Sequence, residues 1–215
     1  MAYEFTNTSS QSLTTASSPL TGNLMTLACW FNRKTLVPGQ AQFLLSVNAT
    51  SLTSFNGIAG LGSGQPSLAA VSNAGSGAGI ATASSSYSLN QWNHACGVFE
   101  SSTSRKILLN GGSSVTNSTS RNVSGQNNIS IGTRFAAGAQ GAFANALIAE
   151  AGIWNVALTD DEIASLAKGM TCNLVRPQSL VFYAPLIREL QDIKGGLTLT
   201  NNNTATVVDH TRVYQ

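Results

Sequence analysis

One pattern runs through nearly the whole chain: short apolar stretches that alternate side to side, each closed by a cluster of Gly, Asn and Ser. A period of two suits a strand with one buried face, and Gly and Asn accept the positive φ angles of tight turns. The chain is therefore expected to be all-β. In "LMTLACWFNR", Met25, Leu27, Cys29 and Phe31 fall on one face, and Thr26, Ala28 and Trp30 on the other. "QWNHACGVFES" sets Trp92, His94, Cys96 and Val98 against Asn93, Ala95, Gly97 and Phe99. "AQFLLSVNA", "GIAGLG", "NNISIGTRF" and "ANALIAEAGIWN" read as further strands, the last with Leu147, Ala149, Ala151 and Ile153 on one face. The glycines of "GIAGLG" predict close backbone packing. Asn110-Gly111-Gly112 is the strongest hairpin signal and should pair Arg105 to Leu109 with the strand that follows.

A single stretch breaks the pattern. "LTDDEIASLAKG" carries three consecutive acids, Asp160, Asp161 and Glu162, in a chain with nine Asp and Glu altogether. Thr159 is placed as an N-cap with Glu162 three residues on, the reciprocal capping box. The two aspartates then meet the partial positive charge of the first helical turn, and Gly169 can close the helix. The acids are read as architecture, the start of one short helix over 159–168.

The order of segments resembles the concanavalin A-like, laminin-G-like superfamily of jelly-roll lectins, pentraxins and glucanases. The residues that carry the likeness are "YEFTNTSSQSLTTASSPLTGNLMTLACWF", "QWNHACGVF", "KILLNGG", "ISIGTR" and "GAFANALIAEAGIWNVALTDDEIASLAKG", from Tyr3 to Gly169. What the resemblance implies is a two-sheet antiparallel jelly-roll sandwich with its short helix against one edge and "LVFYAPL" as a returning strand. Residues 1–200 are expected to form that domain, and 201–215 a C-terminal extended arm.

Composition narrows the function. Charged residues are 9% of the chain against roughly 25% in ordinary soluble proteins, and the net charge is +2. The basic residues are scattered, so no nucleic-acid stripe is expected. No apolar run is long enough to span a membrane, and "MAYEFTNTSSQS" lacks the basic start and apolar core of a signal peptide. Synthesis in a host cytoplasm without export is the expectation. Cys29, Cys96 and Cys172, odd in number and widely spaced, read as small buried hydrophobes.

Family glucanases carry paired carboxylates as Glu-x-Asp-x-x-Glu on a strand; the matching strand here offers Glu150 alone, as an exposed residue or the partner of an Arg. No enzyme is expected. The loops "SVNATSLTSFNG" and "SVTNSTSRNVSGQNN" hold Asn but no acid, so calcium would be weakly compensated, and no cofactor is expected. His94 and Cys96, two apart on one strand, could share a metal or simply pack; packing is favoured. Trp30, Phe55, Tyr87 and Phe135 are the candidate ligand-binding aromatics, since a sugar's apolar face stacks on a ring, and each could equally serve the core. Together these features point to a non-catalytic virion accessory protein of a tailed bacteriophage, such as a capsid decoration protein, contacting other virion proteins and its own copies. The alternative is a glycan-binding lectin module of a phage tail or host-attachment fibre.

Overall fold

Strands follow one another almost without interruption, as the alternation predicts. The computed structural model describes residues 1–62 and 64–210. In chain order they are β1 (Ala2–Phe5), β2 (Ser12–Thr14), β3 (Met25–Arg33), β4 (Gln42–Ala49), β5 (Ser54–Leu61), β6 (Ser67–Ala74), β7 (Ala78–Thr82), β8 (Asn93–Ser101), β9 (Ser104–Leu109) and β10 (Val115–Asn117). There follow β11 (Asn128–Ile131), β12 (Arg134–Ala136), β13 (Ala139–Gly141) and β14 (Ala146–Trp154), helix α1 (Asp160–Ala167), and β15 (Leu180–Ala184), β16 (Thr200–Asn202) and β17 (Thr206–Val208).

The strands form two antiparallel sheets of a jelly-roll sandwich. The larger runs β10-β9-β8-β3-β14-β1-β17, with β15 beside the far half of β14; the smaller runs β16-β2-β11-β4-β5-β6-β7. Between them lie Phe5, Met25, Leu27, Phe31, Leu45, Ile58, Phe99, Ile129 and Phe182, all buried. The expected inner face of β3 is therefore the observed one. Asn110 and Gly111 both take positive φ, 52° and 67°, and β9 pairs with β10 across that turn as expected. Gly57 and Gly60 also do what the sequence predicts. A Cβ at Gly57 would lie 2.8 Å from the Phe43 ring, and one at Gly60 2.5 Å from the Arg33 guanidinium.

β14 departs from the expected alternation. Ala149 pairs with Trp30, yet Gly152 pairs with Ala28, so β14 holds one residue more than its partner between these points. This is a β-bulge, and Glu150 within it takes φ 53°. The extra residue shifts the phase: Ala146 and Ile148 point into the core before it, Ala151 and Ile153 after it, in place of the predicted Leu147, Ala149, Ala151 and Ile153. Glu150 is buried rather than exposed, and its carboxylate accepts a hydrogen bond from the Tyr183 hydroxyl.

Helix α1 confirms the reading of the acidic trio. The Thr159 side chain accepts from the Glu162 amide, and the Glu162 carboxylate accepts from the Thr159 amide at 2.8 Å. A cap of this kind contributes about 1 kcal/mol. Asp160 pairs with Lys106 and Glu162 with Arg176, each at 2.7 Å. The helix does not lie against an edge, however. Its Ile163 and Leu166 pack on the outer face of the larger sheet, with Ala28, Cys96, Val98, Leu108 and Trp154, because that face is also apolar and needs a cover.

His94 is buried on this same outer face, its ring edge-on to Trp30 at 5.3 Å. Burial pushes its imidazole down to about 3, from an ordinary 6.5. Below about pH 6.5 the unfolded chain binds the proton and the folded chain does not. The stability from a neutral His94 is therefore full above that pH and lost as pH falls toward 3. At about 1.4 kcal/mol per unit, a drop from about pH 7 to about pH 5 should cost roughly 2 kcal/mol. Urea midpoints at the two pH values check this, with His94→Phe expected to flatten the difference.

The C-terminal stretch, as far as it is described, runs along the edges of both sheets. Thr200–Asn202 pairs with β2 at the edge of the smaller sheet, and Thr206–Val208 with β1 at the edge of the larger. Trp92 then meets His210 edge-on at 4.2 Å. β1 and β2 offer unpaired edges, and a polar segment with free backbone groups satisfies them. Residues 211–215 of the expected arm lie outside the described residues. Among the described residues no helix is long and apolar enough to cross a membrane.

Candidate functional site

The smaller sheet has an unusual outer face. Its inward residues are mostly apolar, with Asn56 and Ser72 bonded to each other and Ser72 to Arg105, but Ser12, Thr14, Ser46, Asn48, Asn128 and Ser130 point the other way and are still buried. What buries them is the hairpin β12–β13, which rises over this face as a ridge. At Gly132, φ 80°, the chain leaves β11, so the strand expected over "NNISIGTRF" is two strands broken at that glycine. The ridge is held down by polar pairs: Ser46 Oγ donates to the Thr133 carbonyl at 2.9 Å, the Phe135 amide to Asn48 Oδ1 at 3.2 Å, and Ser12 Oγ to Gln140 Oε1 at 2.7 Å. Asn48 in turn donates to Ser130 Oγ at 3.1 Å. Buried polar groups are tolerated here because they satisfy one another.

The ridge separates two hollows. On the β2–β16 side is an open groove of about 610 Å3, lined by Ser10, Phe135, Gly138, Gln140, Phe143 and the run Asn201 to Asn203. Two phenyl rings and several amides line it together, with no charged side chain among the lining residues. On the other side a hollow of about 370 Å3 is lined by Gln40, Ala41, Phe43, Arg134 and Ala142. There the Arg134 guanidinium lies 5.6 Å from the centre of the Phe43 ring and 5.1 Å from that of Phe55. The two rings meet edge to face at 5.3 Å. Burial pushes the Arg134 guanidinium down from its ordinary value, though an arginine stays charged.

The four aromatics singled out in the sequence are not brought together. Phe135 lines the groove. Phe55 is 3% exposed and lies against the Arg134 guanidinium, so it is no open platform. Tyr87 is 2% exposed, inside the sandwich, edge-on to Phe31 at 5.0 Å and accepting from Arg33 Nη1 at 2.5 Å. Trp30 is half-buried on the larger sheet, away from both hollows. Sequence reasoning missed Phe143, Gln140, Arg134 and the Asn201 to Asn203 run. The signal available was "TRFAAGAQGAF", two phenylalanines flanking a small-residue turn, and a triple Asn placed in the supposed arm.

Metal chemistry finds no footing among the described residues. No group of three or more His, Cys, Asp or Glu converges there. The two Asn-rich loops do meet, Ser54 Oγ donating to the Ser124 carbonyl and the Thr50 amide to Asn127 Oδ1, but they bring no carboxylate with them. Calcium needs several oxygen ligands, usually with negative charge, so these loops do not fit it. Cys29, Cys96 and Cys172 are free and buried, and burial pushes the Cys29 thiol up to about 12, so they act as core residues.

Solved structures share this architecture. The native heptameric SAP-like pentraxin of Limulus polyphemus superposes with a TM-score of 0.67 at 12% identity, covering 95% of this chain and 93% of that one. A Bacteroides ovatus protein proposed to bind carbohydrate gives 0.65 at 16% identity, covering 97% of this chain and 60% of that one. The CBM40 of a Ruminococcus gnavus IT-sialidase, bound to α2,3-sialyllactose, gives 0.57 at 14% identity, covering 68% of this chain and 84% of that one. No curated protein matches the sequence. The sequence profile described as the concanavalin A-like lectin/glucanases superfamily, of laminin-G type, matches residues 7–164. That span is well over half of the chain, which therefore belongs to this superfamily.

Proposed function

We propose that the protein is a non-catalytic glycan-binding module whose ligand lies in the groove between the β12–β13 ridge and β16. The observation that carries this is the lining itself: Phe135 and Phe143 beside Gln140 and three consecutive asparagines, without a charge. A sugar ring has an apolar face that stacks on phenyl groups and a rim of hydroxyls that amides can both donate to and accept from. Hydrolysis would need two carboxyl groups roughly 5 to 10 Å apart across the sugar, and no Asp or Glu lines the groove. Similar structures described as binding carbohydrate support the reading.

A glycan array followed by calorimetric titration of the hits tests it. Phe135→Ala and Phe143→Ala should each weaken binding about tenfold, close to 1.4 kcal/mol. Trp30→Ala, on the other sheet, should leave affinity unchanged. An array without hits would overturn the reading. A homo-oligomer in the same samples would then favour the second one, an accessory protein of a phage virion working through protein contacts. The observation on its side is that Met170, Leu174 and Ile193, on segments laid over the outer face of the larger sheet, are 44%, 66% and 62% exposed.

A further inference from the structure

Not one Asp, Glu, Lys or Arg occurs in the seven strands of the smaller sheet or in the neighbouring segment 35–41. Arg134 is the one charged residue of the hairpin that crosses this sheet. Its surroundings are therefore neutral, whereas Lys34, Lys106 and Arg176 each have a carboxylate within 4.0 Å. Arg105, also buried, directs its donors to Ser72 Oγ at 2.9 Å and to the carbonyls of Ser102 and Thr119 at 2.9 and 2.8 Å. Among the described residues the Arg134 side chain donates no hydrogen bond; it rests on Phe43 and Phe55. The rings attract the cation, and its planar fork of N–H donors, which makes no hydrogen bond with the described residues, belongs to a side chain that lines the 370 Å3 hollow.

We propose that this second hollow is a carboxylate subsite, in which Arg134 takes the acid group of an acidic sugar. The proposal rests on the glycan-binding reading and names a ligand class for it. Two parallel N–H donors match the two oxygens of a carboxylate, and a charge-assisted pair of this kind is about twice as strong as a neutral hydrogen bond. Phe43 and Phe55 already pack against the guanidinium, so less side-chain freedom is lost on binding. The Gln40 amide lies on the same hollow and can serve a hydroxyl of the same sugar. No acid on the surrounding strands competes for the arginine.

The test is titration of the full chain with sodium glucuronate, glucose, sodium acetate, sodium sulfate and an Asp-rich peptide, following the arginine Nε–H resonances by NMR. Glucuronate should shift the Arg134 signal saturably, with affinity about tenfold above that of glucose or acetate. Arg134→Gln should abolish the effect, and Arg134→Lys, which keeps the charge but loses the fork, should weaken it about tenfold. Trp30→Ala should leave it intact, because Trp30 lies on the larger sheet beside His94 and lines neither hollow. Glucose matching glucuronate would overturn the proposal, as would acetate or sulfate doing so, which would make the hollow a small-anion site. An Asp-rich peptide binding as tightly would assign it to a protein partner instead. Array hits that depend on Phe135 but ignore Arg134 would sink the carboxylate subsite alone, leaving the broader reading in place.

Discussion

Trp154→Ala is expected to lower the stability of the domain by about 4 kcal/mol, the largest effect of any single truncation considered. Trp154 is fully buried on the outer face of the larger sheet, among Ala28, Cys96, Leu158, Ile163, Leu166, Val175 and Leu180. Its ring passes so close to Gly152 that a Cβ there would lie 2.9 Å from it. Its indole N–H donates to the Val175 carbonyl at 2.8 Å, tying β14 to the segment that returns from the helix. Removing it leaves a cavity beneath α1 and a carbonyl without its donor. For a chain of this length the loss corresponds to a fall in Tm of roughly 10 °C. Calorimetry on Trp154→Ala and Trp154→Phe measures it, and a fall of less than about 3 °C for the alanine variant would refute this account of the second core.

Gly132→Ala is the next largest, and it joins stability to the site. Gly132 sits where β11 ends and the ridge begins, with φ 80°. A Cβ there would lie 2.7 Å from the Phe5 ring. Leaving glycine at positive φ costs about 1 kcal/mol, and forcing a methyl against a packed ring costs about 1–3 more. The expected loss is about 3 kcal/mol. Gly138, at the tip of the same hairpin, has φ 85° but open space around the Cβ position. Gly138→Ala should then show the backbone cost alone, about 1 kcal/mol. Urea midpoints for the two variants separate the terms, and equal losses would show that Phe5 simply moves aside. Because the ridge carries Phe135 and Arg134, Gly132→Ala should also weaken glycan binding while Gly138→Ala leaves it largely unchanged.

The difference between those two glycines bears on what could be read from the sequence. Nothing adjacent to either glycine in the chain tells of the clash, because the ring that distinguishes them is Phe5, more than a hundred residues from Gly132. The same holds for Glu150. Alternation along β14 is a local signal that holds on each side of the bulge but does not carry across it, so Ala151 and Ile153 face the core as expected while Leu147 and Ala149 do not; the bulge arises from pairing with β3 on one side and with β1 and β15 on the other. No periodicity within β14 reports it.

What the sequence by itself determined is whatever depends on neighbours a few residues apart. The phase of β3, the positive φ angles at Asn110 and Gly111, the capping box at Thr159 and Glu162, and through their order the sandwich itself, all belong here. What only the tertiary structure decided is burial and convergence. Phe55 and Tyr87 went under a ridge and between the sheets, while Phe135 met Phe143, Ser10 and Asn201 to Asn203 across a groove. Those residues come from the start, middle and end of the chain, joined by β16 adding to β2. Local alternation sets which way a side chain points from its own strand; what stands opposite depends on strand order and register, which are fixed only when the whole sandwich closes.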